Sequence, residues 1–143
     1  MTPTIRPAWG LHRRLALGYF VVLLAVAALN YVPGVPRPEG RVFGIFALDP
    51  YDDSLHLASA LWALASALIS TRASRTFLIL FGVAYLSDGV LGVFTGVGWL
   101  DLAIFTVGPQ DYGLTFNVLA SAPHIFLGGL ALWAGLRRPV VAP

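Results

Sequence analysis

Three ionisable side chains stand where an apolar sequence accommodates them least: His56, Asp88 and His124, each within or beside a long hydrophobic run. A carboxylate left facing lipid costs at least about 2.5–3.5 kcal/mol, so Asp88 must find a partner inside the protein. Histidine is the available one. Counted along helices from the arginines that end each run, all three groups lie roughly 20–24 Å toward the same side. In a hydrocarbon core about 30 Å thick that places them together in one outer third.

A trio of this kind admits three chemistries. Buried hydrogen bonds can lock helix rotation and register, each worth only about 0.6 kcal/mol on average. A His/Asp pair titrating near neutral pH can relay protons or ions. Two histidines on facing helices can also ligate haem b iron, or with Asp88 another metal. Tyr85, three residues before Asp88, is placed to donate a hydrogen bond to it. Catalytic residues are not expected: Ser54, Ser59 and Ser121 lie near histidines but lack a glycine-flanked nucleophile pattern. The absence of cysteine excludes disulfides, thiolate metal sites and a thiol nucleophile.

The elements that must hold these residues are helices. His56, Ala60, Ala63 and Ala67 share one helical face, and His124, Gly128, Ala131 and Gly135 repeat the same offsets. Each histidine thus heads a stripe of small residues, which allows close helix approach in lipid. Gly82, Gly89 and Gly96 recur every seven residues, with Gly92 between, and read as a further packing seam. Trp62 lies opposite the His56 stripe and is expected to face lipid or another subunit.

Composition agrees. The chain of 143 residues is 57% hydrophobic and 11% charged, with a mean hydropathy of +0.77. A soluble domain of this size carries far more charge, so the bilayer is the expected solvent. All basic residues are arginine and lie dispersed, which offers no nucleic-acid patch. The expected fold is all-α, one membrane domain over 1–143. Four transmembrane helices at about 15–32, 53–70, 76–94 and 114–136 form an up-down-up-down bundle. The first run also resembles a secretory signal, with Ala25-Val26-Ala27 as a cleavage site, but is read as a retained helix. Asp53 or Ser54 is available to cap the second span, and Thr71 to Arg75 reads as a tight polar turn. The fourth span either runs from Leu114 with a kink at Pro123 or restarts at Pro123.

Long connections, 33–52 and 95–113, hold short apolar patches, Val42–Leu48 and Trp99–Phe105. The first is too short to span and is expected at the membrane surface. Asp49, Asp52 and Asp53 suggest a cation site or, more simply, a solvated helix cap. Seven of nine arginines fall in the two tails and the 71–75 turn, and most acids fall in the long connections. The positive-inside rule therefore places both termini in the cytoplasm and both loops outside, with Trp9, Trp99 and Trp133 at the interfaces. Ile45-Phe46, Pro50 and Asp52 align with Ile104-Phe105, Pro109 and Asp111, which suggests an internal repeat of two hairpins, 1–70 and 71–143. The second copy carries an insertion near 113–121.

The segments Gly44-Ile-Phe-Ala-Leu-Asp-Pro50, His56-Leu, Gly82-Val-Ala-Tyr85-Leu and His124-Ile-Phe-Leu-Gly128 resemble a bacterial four-span family catalogued as a domain of unknown function (number four-three-eight-three). The likeness covers about residues 40–136. It implies the topology and the paired histidines but no reaction. The family's glycine four residues after each histidine is kept at Gly128 and replaced by Ala60. The expected role is a non-enzymatic structural or accessory subunit of a bacterial inner-membrane assembly, with lipid and other subunits or a second copy as partners. The alternative is a haem-, quinone- or ion-handling protein that uses His56, Asp88, His124 and Tyr85.

Overall fold

The computed structural model describes residues 9–35, 41–46 and 49–137. Arg6, Glu39, Arg138 and the Ala47-Leu48 part of the family-like motif lie outside the described residues. The described residues form five α-helices: α1 (Leu11–Ala28), α2 (Pro50–Ile69), α3 (Thr71–Thr95), α4 (Ala103–Thr106) and α5 (Leu114–Leu136). A short 3-10 turn, Leu29–Tyr31, extends α1. Among the described residues there is no strand beyond one isolated bridge between Val42 and Phe46.

Three of these helices, α1 with its 3-10 turn, α3 and α5, are long and apolar enough to cross a membrane. The second expected span is a helix but falls short of that apolarity, because α2 carries Asp52, Asp53, His56 and three serines. Its start also differs from the expected cap. Asp49, not Asp53 or Ser54, caps α2: its side chain accepts from the Tyr51 and Asp52 amides, Asp52 reaches back, and Pro50 opens the first turn. Asp49 and Asp52 therefore serve the helix end, while Asp53 is buried and accepts from the Asn30 side chain at 3.2 Å.

Two further boundaries move. There is no 71–75 turn: α3 begins at Thr71, one residue after α2 ends, with Ser70 as its cap. Extended backbone at Ser70 reverses the chain, so Arg72 and Arg75 ride on the helix. The helix α1 likewise begins at Leu11, so His12 and Arg13 belong to its first turn and not to a tail. Gly96 ends α3 at φ +74, the left-handed conformation only glycine takes freely, so it is a cap and not part of the seam. One continuous helix carries Pro123 internally.

At one end of the molecule the start of α1, the end of α2, the start of α3 and the end of α5 meet. Arg13 donates to the Ala67 and Leu68 carbonyls at 2.6 and 3.1 Å, and Arg75 to Gly135 at 2.8 Å. The His12 ring donates to the Ala134 carbonyl at 3.1 Å. Helices end with unpaired carbonyls and a partial negative charge, so these donors cap α2 and α5 from their neighbours. Arg13→Ala is expected to destabilise the protein by about 1–2 kcal/mol, as for loss of hydrogen bonds to a charged group. A shifted urea midpoint in mild detergent checks this, and an unchanged midpoint would mean that solvent caps α2 equally well.

Helix α1 packs on α2, and α3 packs on α5 most extensively. Ala60, Ala63, Ala67, Ala16, Leu23, Phe77 and Phe81 form the core between them. Between α3 and α5 the seam is nearly backbone to backbone. A Cβ on Gly82 would lie 2.5 Å from the Leu132 amide nitrogen, and Gly128 and Gly135 pack as closely on Leu86 and Ile79. Gly89 meets Ile125 and His124, and Gly92 meets Ser121. Ala131 is fully buried between them.

Candidate functional site

Asp88 sits on the buried face of α3, where its carboxylate is only 5% exposed. Oδ1 accepts from the Trp99 and Leu100 amides at 2.6 and 2.8 Å, and Oδ2 accepts from His124 Nδ1 at 2.6 Å. One side chain therefore ties the loop after α3 to the middle of α5. Gly98 makes this possible, because any side chain there would run into the Asp88 carboxylate. The loop donors are backbone groups, so no residue type announces them. The Gly96-Val-Gly98 spacing just past the helix is the signal that could have pointed to a close approach.

His56 joins from α2. Its Nδ1 donates to the Asp52 carbonyl at 2.7 Å, one turn earlier on the same helix. A carbonyl can only accept, which puts the proton on Nδ1. The two imidazoles face each other with ring centres 6.1 Å apart. His56 does not bond Asp88; His124 lies between them. Tyr85 contacts both rings, at 4.9 Å from His124 and 6.3 Å from His56. Its hydroxyl bonds Ser59 Oγ at 3.0 Å, so the expected bond from Tyr85 to Asp88 is not made. Ser59 is three residues after His56, on nearly the same helical face, and is closer to the phenol than the carboxylate one turn along α3. Phe77, Phe81 and Tyr85, spaced by four, carry an aromatic column from the core up to His124.

Both histidines commit Nδ1 to the protein, and neither Nε2 has a hydrogen-bond partner among the described residues. Both rings line a cavity of about 730 Å³ that also borders both long connections. That volume is typical of a small-molecule site. The sequence-expected trio is thus brought together, at the wall of a cavity that no local pattern foretold. Trp62 stands on the far side of α2, packed edge-on against Phe77 at 5.0 Å and partly exposed. No group of three or more His, Asp, Glu or Cys side chains is arranged to hold a metal ion among the described residues.

At the cavity mouth, outside the three apolar spans, burial and the nearby Asp101 carboxylate push Asp52 up from its ordinary 3.8 to about 7. The hydrogen bond from the Asp49 amide opposes this, and the Asp49 charge adds to it by less. The folded protein then holds a proton that the unfolded chain releases near pH 4. Stability is full below that point, falls as pH rises toward 7 and is flat above. Asp52→Asn is expected to flatten this slope in unfolding midpoints measured from pH 4 to 8. An unaltered slope would assign the titration to another group.

An all-helical chain with three membrane-length apolar helices and a His-Asp-His cluster beside a cavity is a small helical protein of membrane type. Over residues 13–102, well over half its length, it matches the family described as Domain of unknown function (DUF4383), and it belongs to that family. The match begins earlier than the motif likeness at 40–136 and stops short of α5, so His124 lies outside it. No curated protein and no solved structure matches the chain.

Proposed function

We propose that this is an integral membrane protein whose four long helices cross the bilayer as a bundle, and that it binds a small molecule through His56 and His124. The single observation that carries the binding reading is the pair of uncommitted Nε2 atoms on one cavity wall, each imidazole fixed through Nδ1. Metal-ligating histidines are characteristically fixed in this way by a carboxylate or a carbonyl behind them, and the same fixing presents Nε2 to any other ligand. Asp88 and the Asp52 carbonyl are the orienting groups and do not themselves bind.

The bilayer placement rests on the exposed apolar residues of every long helix, including Leu57, Leu61, Leu68 and Ile69 on α2. Arg13, Arg75 and Arg137 gather at one end, which supports the termini in the cytoplasm and the cavity on the outer side of a bacterial inner membrane. The small-residue seams and Trp62 by themselves point to an accessory role in a larger assembly. The α3–α5 contact takes up the glycine seam within the chain and Phe77 covers one side of Trp62, so ligand binding has the stronger support.

The test is native mass spectrometry and absorption of protein purified in mild detergent. A bound small molecule is expected, and its loss in the double variant His56→Ala, His124→Ala. A Soret band removed by the same variant would make the ligand haem. Wild-type protein that carries nothing and binds nothing added would overturn the reading.

A further inference from the structure

We infer that the cavity selects an organic cation that donates hydrogen bonds, a primary or secondary amine on an apolar body. This rests on the ligand-binding reading above and names its chemical class. His56 is 94% buried by its 6% exposure, and its Nδ1 proton is committed to a carbonyl, so the neutral ring offers only a lone pair at Nε2. In its neutral form His124, donating through Nδ1 to a carboxylate, offers the same. Two acceptors side by side call for a partner rich in donors. An oxidised quinone or a carboxylate brings further acceptors. An ammonium group brings two or three N–H donors from one atom.

Charge points the same way. Among the described lining residues, Asp49, Asp88 and Asp101 stand against Arg41 alone, with Asp52 holding a proton below about pH 7, and Arg41 is drawn 5.4 Å over the Phe116 ring. A weakly hydrated wall around an excess of carboxylates favours a cation with an apolar body. The route is also present. Helices α1 and α5 touch only sparingly, through Tyr19 and His12 in their arginine-side halves. In the other halves Leu23, Val26 and Leu29 on one side and Phe116 and Ala120 on the other line the cavity. A lipid-dissolved amine can therefore enter between them with its apolar part leading along the gap.

Titration calorimetry in lipid nanodiscs with 2-phenylethylamine, 2-phenylethanol, 3-phenylpropionate and N,N,N-trimethyl-2-phenylethylammonium tests this. The primary amine is expected to bind about tenfold or more tighter than the alcohol and the carboxylate, the scale of a charge-assisted hydrogen bond. The quaternary ion, which has charge but no N–H, is expected to bind more weakly than the amine. His56→Phe and His124→Asn should each remove most of that preference while circular dichroism shows the helices retained. Equal binding of amine and quaternary ion would overturn the donor argument, and preference for the alcohol or carboxylate would overturn the cation itself, with histidine-dependent binding still upholding a ligand site. Binding of none of the four would defeat both.

Discussion

Asp88→Ala is expected to lower the unfolding free energy by about 3–5 kcal/mol, the loss found when one partner of a buried pair is removed. The carboxylate accepts three hydrogen bonds, two from the Trp99 and Leu100 amides and one from His124. Alanine leaves these donors facing a small void, and each unsatisfied buried amide costs about 1–3 kcal/mol. Chemical denaturation in mild detergent measures the effect. A loss below about 1 kcal/mol would show that water replaces the carboxylate and that the loop is not anchored there.

Asp88→Asn separates charge from shape. Its oxygen can still accept from the loop amides, but its NH₂ group would face His124 Nδ1 and donate to it. The imidazole proton then moves to Nε2, and the ring presents a donor to the cavity in place of an acceptor. Nitrogen-15 shifts of the His124 ring should report the exchange of tautomers, and amine binding should weaken while the helices stay folded. Unchanged ring shifts would mean that Asp88 does not set the tautomer.

The second large effect lies in the α3–α5 seam. Gly128→Leu forces a side chain into the backbone at Leu86, where nothing can rotate away. The loss is expected at the upper end of the about 1–3 kcal/mol typical of overpacking, or beyond it. Gly129 is the internal control, one residue along the same helix with open space where a Cβ would be. Gly129→Leu should leave the urea midpoint within about 0.5 kcal/mol of wild type, the range of ordinary surface substitutions. Similar midpoints for the two variants would show that α3 and α5 do not meet at their glycines.

The glycine seam and the histidine stripes were legible because a helix projects its sequence onto faces by simple spacing. Positions four and seven apart share a side wherever the helix ends up, so Ala60, Ala63 and Ala67 declare a buried face in one dimension. Helix ends were less legible. The sequence suggests a turn over Thr71 to Arg75, yet one residue of extended backbone, Ser70, suffices to reverse the chain between α2 and α3. The arginines at 13 and 75 counted toward orientation, while their role in capping neighbouring helices depends on which ends lie adjacent.

The amino-acid order alone determined that the chain is helical, with runs long and apolar enough to cross a membrane, and that His56, Asp88 and His124 fall at similar distances along those runs. Helical periodicity and the solvation of charge act locally, residue by residue, and need no knowledge of the neighbours. Only the tertiary structure decided the pairings: Asp88 with His124 and two loop amides, Tyr85 with Ser59, His56 with its own helix. It alone opened the cavity, because an empty volume belongs to the arrangement of several elements and to no segment of any one. Directional bonds and voids are set by distances between residues remote in sequence, and spacing along the chain does not encode them.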